Sequence, residues 1–194
     1  MQFLCKDISC YSRQEYINAY KMLSASKKKR IDAISDEQRK KQSLAAVIAV
    51  AELLEQSFCL NDTVIENKEN GQPFVKGSNL HISISHSKNI VAVAADTNPV
   101  GIDVEFIRPI NFSLVKRVCD ENELNYVVKS GKFNEDRLIT DNQILTRFFE
   151  VWTAEEALFK ASGGRINSFK NADVFSLNTT KITQDGYCLQ IVSL

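Results

Sequence analysis

Two stretches of the chain carry apolar residues at helical spacing over several turns. The first, residues 37–57, follows Asp36, starts with charged positions and then becomes apolar on most faces. The second, residues 142–162, follows Asp141 and ends before Gly163 and Gly164. Aspartate just before a helix and glycine just after it are common boundary residues, so the pattern predicts two long, largely buried helices.

Shorter segments have the two-residue period of strands. In residues 80–85 three aliphatic side chains alternate with one histidine and two serines, which predicts a half-buried strand. Residues 3–8, 90–95 and 100–106 are further predicted strands, and residues 173–194 are predicted to form two or three closing strands. Because residues 97–99 make a short connection, residues 90–106 are expected to form a hairpin.

The order of these elements predicts an α+β fold. Strands do not alternate regularly with helices, which disfavours a doubly wound α/β arrangement. Each half contains one long helix and several strands, so we expect an N-terminal lobe over residues 1–96 and a C-terminal lobe over residues 97–194. Residues 130–141 are polar, contain Gly131 and are the predicted mobile loop.

Size and charge limit the function classes. The chain has 194 residues, 44% of them hydrophobic, which suffices for one good core or two small ones. The 24 Lys and Arg residues balance the 24 Asp and Glu residues. Nucleic-acid binders normally have a basic excess, so this balance counts against that class.

Cysteines and apolar stretches indicate the compartment. The 5 cysteines include no pair at CxxC spacing, so free thiols in a reducing cytosol are favoured over a disulfide framework or metal site. The first residues lack the pattern of a signal peptide. The apolar stretch at residues 44–54 is interrupted by Glu52 and is far shorter than the ~20 residues that span a bilayer. We therefore expect a soluble, cytoplasmic protein.

A pair of carboxylates lies on one face of a predicted strand. Asp103 and Glu105 are two residues apart, so they share a face, and their Cα atoms lie roughly 6–7 Å apart. Two like charges at this distance repel unless a cation lies between them, and Mg²⁺ prefers such oxygen ligands. Gly101 on the same face predicts space for a ligand. For an isolated Asp-x-Glu, however, a solvated edge strand is the commoner explanation.

A stripe on the second long helix adds a third carboxylate. Phe148, Trp152, Glu156 and Lys160 recur every four residues, so Glu156 continues a row of packed aromatic side chains and needs a partner. Spacing alone favours an ion pair between Glu156 and Lys160. The alternative is that Glu156 binds a metal and Lys160 contacts a phosphate.

A third polar group follows the strand at residues 80–85. Ser85, His86 and Ser87 combine two hydroxyls with an imidazole and could receive a phosphate. Simple turn chemistry is the alternative. A Ser–His catalytic pair is disfavoured, because neighbouring residues of a strand point to opposite faces.

Four segments agree together with one family. They are residues 71–74 (Gly-Gln-Pro-Phe), 84–87 (Ile-Ser-His-Ser), 100–105 (Val-Gly-Ile-Asp-Val-Glu) and 152–161 (Trp-Thr-Ala-Glu-Glu-Ala-Leu-Phe-Lys-Ala). In order and spacing they resemble the 4′-phosphopantetheinyl transferases of the longer, two-lobed type that activates surfactin synthetase and related enzymes. The last two segments are the family's signature.

The resemblance implies a function and a set of site residues. The family transfers phosphopantetheine from coenzyme A to a serine of an acyl or peptidyl carrier protein. By this likeness Asp103, Glu105 and Glu156 would hold Mg²⁺, and Lys160 would meet the attacked phosphate. The catalytic residues would be Glu105, Glu156 and Lys160. The coenzyme A contacts would come from Lys27, Arg30, Arg39, Gly71, Gln72, Pro73, Ser85 and His86.

Within that set, Ser85 and His86 would contact the 3′-phosphate of coenzyme A, and Arg39 another phosphate. Two departures stand out, since the family usually has lysine where this chain has Gln72 and Glu155. The carrier serine would lose its proton to a carboxylate, and Glu105 and Glu155 remain open as that base.

The resemblance also implies architecture and partners. Two similar lobes would pack about a pseudo-twofold axis with the site between them, so a monomer would be active. Arg108, Lys116 and Arg117 form a candidate docking patch for an acidic carrier, or else a solvated helix face. The competing functions are a non-catalytic coenzyme A or carrier-binding homologue and a metal-dependent phosphodiester hydrolase. The sequence leaves the carrier and its pathway open.

Overall fold

The computed structural model describes residues 1–61, 63–129, 133–134, 136–164 and 174–194. The first half contains β1 (Gln2–Asp7), α1 (Arg13–Met22), α2 (Ala25–Asp32), α3 (Glu37–Phe58), β2 (Ile65–Asn67), β3 (Pro73–Val75), β4 (His81–Ser87) and β5 (Ile90–Asp96). The second half contains β6 (Val100–Phe106), β7 (Ile110–Asn111), α4 (Phe112–Val118), α5 (Glu121–Val128), β8 (Leu138–Ile139), α6 (Asn142–Ala161), β9 (Thr179–Gln184) and β10 (Tyr187–Ser193).

The two long helices begin and end where their boundary residues predict. The side chain of Asp36 accepts a hydrogen bond from the amide of Arg39 at the start of α3. Asp141 does the same for the amides of Gln143 and Ile144 at the start of α6. Beyond α6, Gly163 and Gly164 have φ angles of 70° and 76°, which glycine adopts without a Cβ clash.

Each long helix packs on its own antiparallel sheet. Helix α3 covers a five-stranded sheet of order β1-β5-β4-β3-β2 and buries Ala49, Leu53 and Leu54 against it. Helix α6 covers a three-stranded sheet of order β6-β10-β9. Strands β7 and β8 pair separately beside α4 and α5. The fold is therefore α+β as predicted, whereas the pseudo-twofold relation and the lobe boundary stay predictions.

The predicted hairpin of residues 90–106 is wrong. Strand β5 is central in its sheet and pairs with β1 on one edge and β4 on the other, while β6 pairs with β10. Neither edge of β5 is left for β6. Instead the small side chains of Ala92 and Ala94 pack face to face against Val100, Ile102 and Val104 of β6. The chain thus passes from one sheet to the other at residues 97–99.

Strand β4 is buried on both faces at its centre. Ile82 packs in the core beneath α3, as the alternation predicts. The opposite face is not solvated, because Ser83 and Ser85 are buried beside β6. This contact between β4 and β6 joins the two sheets and carries the carboxylate strand.

The other expected elements are present where they are described. Strand β1 matches the prediction for residues 3–8, and β9 with β10 supply two closing strands. The predicted mobile loop at 130–141 includes residues 130–132 and 135, which lie outside the described residues. No helix in the described part of the chain is both long enough and apolar enough to cross a membrane.

Candidate functional site

Gly101 makes room for helix α6 rather than for a ligand. A Cβ at this position would lie 1.8 Å from the carbonyl oxygen of Ala157 and 2.6 Å from the amide nitrogen of Ala161. Backbone atoms of α6 therefore fill the space that the sequence prediction assigned to a ligand, and that prediction is wrong. The close approach sets the C-terminal turns of α6 directly over β6 and its carboxylates.

Asp103 is the most constrained acidic residue of this region. It is 5% exposed, and its Oδ1 accepts a hydrogen bond from the Ser85 hydroxyl at 2.7 Å. The same oxygen accepts from the ammonium of Lys160 at 2.7 Å. Its Oδ2 is buried and has no hydrogen-bond partner among the described residues. One oxygen of the carboxylate is thus held on two sides, and the other keeps its acceptor capacity.

Glu105 is held in a similar way at the next outward position of β6. Its Oε2 accepts from the Ser87 hydroxyl at 3.1 Å and from the Arg108 guanidinium at 3.0 Å. Arg108 also lies over the ring of Phe149. The Arg108 side chain is still 48% exposed, so the docking patch that it would form with Lys116 and Arg117 of α4 stays a prediction.

Glu156 and Lys160 do not form the helical ion pair that spacing favoured. Lys160 donates to Asp103 and to the carbonyl oxygen of Ile102 at 3.0 Å, and among the described residues no Glu156–Lys160 ion pair is present. The stripe itself is confirmed, since the rings of Phe148 and Trp152 pack 5.9 Å apart.

The surroundings of Glu156 are electrostatically strained. Burial raises the pKa of Glu156, and the negative charge of Asp103 raises it further, with a smaller contribution from Glu105. The ammonium of Lys160 acts in the opposite direction. The three carboxylates predicted as ligands therefore lie in one electrostatic neighbourhood, and a cation there would relieve their repulsion.

The predicted Mg²⁺ site stays a prediction. Within the described ranges, no group of three or more His, Cys, Asp or Glu side chains is arranged to hold an ion. The donor chemistry does fit Mg²⁺, because all three candidates are carboxylates. One buried oxygen, Oδ2 of Asp103, has no hydrogen-bond partner in the described part of the chain. Lys160 forms an ion pair with Asp103, and Arg108 forms one with Glu105. These two cations neutralise part of the negative charge that a metal would neutralise.

Basic residues of the first half line a cavity next to the corner that Asp103 and Lys160 form where α6 meets β6. The cavity measures about 450 Å³ and lies between helices α2 and α3 and strands β2, β3 and β4. Five residues predicted to contact coenzyme A line it: Lys27, Arg30, Gly71, Pro73 and His86.

Burial and nearby positive charges lower the pKa values of His86 and Lys27. Partial desolvation lowers the pKa of His86, and the positive charges of Lys160 and Arg39 lower it further. Burial lowers the pKa of Lys27, with a contribution from Arg30. Cations placed this close repel one another, so an anion would be attracted to the site that they share.

Gln72 lies at a second cavity, of about 380 Å³, that adjoins the first. This cavity reaches Lys160 and Gly163 at the end of α6. The amide of Asn70 donates to the carbonyl oxygen of Gly163 at 3.1 Å, so the β2–β3 turn is fastened to α6. Lys68 donates to Oε1 of Gln72 at 3.2 Å and brings an ammonium to the position where Gln72 lacks one.

The burial of Glu155 and of Ser85 bears on the roles predicted for them. Glu155 is 3% exposed, so it is shielded from an incoming protein substrate, whereas the Glu105 side chain is 24% exposed. Glu105 is therefore the more accessible candidate base. Ser85 is buried with its hydroxyl on Asp103, while His86 points to the basic cavity, so these neighbours serve different faces of β4.

Lys68 is a contributor that the sequence prediction missed. Ser87 and Arg108 were predicted in other roles, at a phosphate and in the docking patch, and both bond to Glu105. The turn at Asn70-Gly71 signals that Lys68 faces Gln72 across a hairpin, and this signal was available in the sequence. The bond between Arg108 and Glu105 depends on how the chain bends after β6, which no local pattern specifies.

Comparison with known proteins finds related sequences. Residues 99–191 match the profile of the family described as the 4′-phosphopantetheinyl transferase superfamily. The 4′-phosphopantetheinyl transferase gsp of Aneurinibacillus migulanus is 36% identical over 114 residues, which are 56% of this chain and 44% of that protein. The 4′-phosphopantetheinyl transferase Sfp of Bacillus subtilis (strain 168) is 24% identical over 178 residues, 90% of this chain and 73% of that protein.

A third relative, the 4′-phosphopantetheinyl transferase AcpT of Salmonella typhimurium, is 34% identical over 98 residues, 50% of this chain and 47% of that protein. The match to gsp, like that to AcpT, spans about half the length of the relative. The family match includes β6 and α6 with Asp103, Glu156 and Lys160. Over residues 99–191 the chain is therefore similar to the 4′-phosphopantetheinyl transferase superfamily.

Proposed function

We propose that this protein transfers the 4′-phosphopantetheine group of coenzyme A to a serine hydroxyl of an apo acyl or peptidyl carrier protein. The observation that carries the proposal is the corner formed by Asp103 and Lys160 beside the basic cavity. A buried carboxylate with one uncommitted oxygen suits a divalent cation, and clustered cations suit phosphates. The family match of residues 99–191 supports the same reaction.

The basic cavity is the proposed site of the nucleotide end of coenzyme A. His86 and Arg39, which interact electrostatically, would contact the 3′-phosphate and a neighbouring phosphate. Gly71 and Pro73 would lie beside the adenine, and Lys27 and Arg30 would add positive charge at the cavity rim. Lys68 would supply charge next to Gln72.

Phosphoryl transfer would take place where α6 meets β6. The oxygen of the carrier serine forms a bond to the β-phosphorus of coenzyme A, and the bond from that phosphorus to the bridging oxygen breaks. Adenosine 3′,5′-bisphosphate takes the bonding electrons and leaves. Lys160 would stabilise the negative charge on the phosphate oxygens, because its side chain is 26% exposed and already lies at the carboxylates.

Asp103, Glu105 and Glu156 are the proposed Mg²⁺ ligands. When bound, Mg²⁺ would offset the charge on the phosphate oxygens. Glu105 is the proposed acceptor of the serine proton, since it is more exposed than Glu155. Both halves of the proposed site come from one chain, so we propose that the monomer is active.

The test is to incubate the protein with coenzyme A, Mg²⁺ and an apo carrier protein and then to measure the mass of the carrier. A gain equal to phosphopantetheine supports transfer. Coenzyme A that stays intact with an unmodified carrier would support a binding homologue instead, and coenzyme cleavage without carrier modification would support a hydrolase. Carriers of fatty acid, polyketide and peptide synthesis should be tried in parallel.

A further inference from the structure

The serines of β4 contact β6 in an ordered series. Ser83 Oγ accepts from the amide of Ile102 at 3.0 Å, and Ser85 Oγ donates to Asp103 at 2.7 Å. Ser87 Oγ donates to Glu105 at 3.1 Å and accepts from the amide of Phe106 at 3.0 Å. The three serines of β4 therefore contact β6 in the same order in which they follow one another along the chain.

These hydroxyls perform two separable tasks. Ser83 and Ser87 cap amides on the edge of β6 that β10 leaves unpaired, which replaces part of a missing sheet ladder. Ser85 and Ser87 hold one oxygen each of Asp103 and Glu105. Ser83 therefore supports the strand alone, Ser85 orients a carboxylate, and Ser87 does both.

Each carboxylate shows the same pattern of contacts. Asp103 has Oδ1 between Ser85 and Lys160, and Glu105 has Oε2 between Ser87 and Arg108. One hydroxyl and one cation thus fix one oxygen of each carboxylate. For Asp103 the remaining oxygen is buried and without a partner among the described residues.

We infer that Ser85 is a positioning residue, which fixes the Asp103 carboxylate so that Oδ2 is presented to a divalent cation. This inference rests on the proposed function of the same carboxylates. A free hydroxyl-to-carboxylate bond in water would contribute little, but Ser85 is 8% exposed and its bond to Asp103 is buried. Without it, Lys160 alone holds Oδ1, so the Asp103 carboxylate is less constrained and must reorder when a cation binds.

The experiment compares Ser85→Ala with Ser83→Ala. Binding of Mn²⁺ to each protein is measured by water-proton relaxation at saturating coenzyme A, and the thermal midpoint is measured alongside. Groups that orient metal ligands typically change metal affinity by about 10–100-fold. We expect Ser85→Ala to raise the Mn²⁺ dissociation constant by about that factor. Ser83→Ala should lower the thermal midpoint and leave the Mn²⁺ constant within about twofold, as expected for a bond that touches no ligand.

Equal Mn²⁺ affinity of Ser85→Ala and wild type would overturn the inference, as would an equal loss in Ser83→Ala. If Ser85→Ala does not fold, Ser85→Cys keeps the side-chain size with a weaker donor and should show a smaller loss in the same direction. A wild type that modifies the carrier while Ser85→Ala binds Mn²⁺ normally refutes positioning and leaves the proposed function standing. A wild type that neither modifies a carrier nor binds Mn²⁺ refutes both.

Discussion

Replacing Gly101 by alanine should destabilise the protein strongly. The added Cβ would lie 1.8 Å from the Ala157 carbonyl oxygen and 2.6 Å from the Ala161 amide nitrogen. The shorter distance is about 1.5 Å less than an ordinary contact, and both obstructing atoms belong to helix backbone. Because no side chain can move aside, α6 must shift away from β6 or β6 must bend.

The expected loss follows from what that shift would disturb. Helix α6 buries Phe148 and Phe149 in the second core and holds Lys160 against Asp103. Overpacking a core usually costs about 1–3 kcal/mol, and we place this case at or above the upper value because backbone must move. For a chain of this size, about 3 kcal/mol corresponds to a fall of roughly 6–12 °C in the thermal midpoint.

Urea unfolding and thermal melting of Gly101→Ala measure this loss, and Gly77→Ala is the matched control. Gly77 has a φ of 77° but nothing within 4 Å of its added Cβ, so it introduces backbone strain without a clash. That control should lose about 1 kcal/mol. Should Gly101→Ala melt within about 2 °C of wild type, or no lower than Gly77→Ala, the packing account of Gly101 is wrong and its space must belong to something else.

Three further predictions concern binding, charge and assembly. Arg39→Ala should raise the coenzyme A concentration needed for half-maximal transfer by about tenfold, since a charged contact to phosphate contributes roughly 1.5–3 kcal/mol; Lys40→Ala, whose ammonium pairs with Glu37 at 3.2 Å, is the control and should stay near wild type. With dephospho-coenzyme A, which lacks the 3′-phosphate, the half-maximal concentrations of Arg39→Ala and wild type should differ less. If Arg39→Ala needs no more coenzyme A than wild type, Arg39 is not part of the site. Burial and the bond to Glu150 raise the pKa of Tyr126 to about 12. Its contribution to the free energy of unfolding should therefore be complete below about pH 10 and be lost as the pH rises towards the folded pKa. Urea titrations of wild type and Tyr126→Phe at several pH values test this, and a difference in unfolding free energy that stays constant above pH ~10 would contradict it. Specific activity should stay constant on dilution while light scattering reports a monomer, whereas activity that collapses as a dimer dissociates would show a site shared between chains.

The helices and most strands could be predicted from sequence because their signals are local. Asp36 and Asp141 cap the long helices, and the glycine pair after α6 ends the second one. The strand partners were harder to predict. The residues between β5 and β6 carry no sign that both edges of β5 are occupied, so their short connection predicts a hairpin that the fold does not contain.

The candidate site was predictable in its residue types but not in its contacts. Two carboxylates on one strand face and a lysine on a helix stripe can be read from spacing. That Lys160 bonds to Asp103 rather than to Glu156 depends on how closely α6 approaches β6, and Gly101 sets that approach. Likewise, Ser85 has a phosphate role by resemblance, and only the packing of β4 against β6 shows that its hydroxyl donates to a carboxylate.

The central claim is that the Asp103 corner carries out phosphopantetheine transfer, and a single-turnover comparison of wild type with Asp103→Asn tests it most directly. The variant keeps the size of the side chain but removes its charge and one oxygen. Apo carrier, coenzyme A and Mg²⁺ are mixed with excess enzyme, and phosphopantetheinylated carrier is weighed over time while the thermal midpoint confirms folding. Loss of several kcal/mol of charge stabilisation predicts transfer slowed by about 100-fold or more in Asp103→Asn. Transfer by a folded Asp103→Asn protein within about tenfold of the wild-type rate would contradict the account and place the chemistry elsewhere.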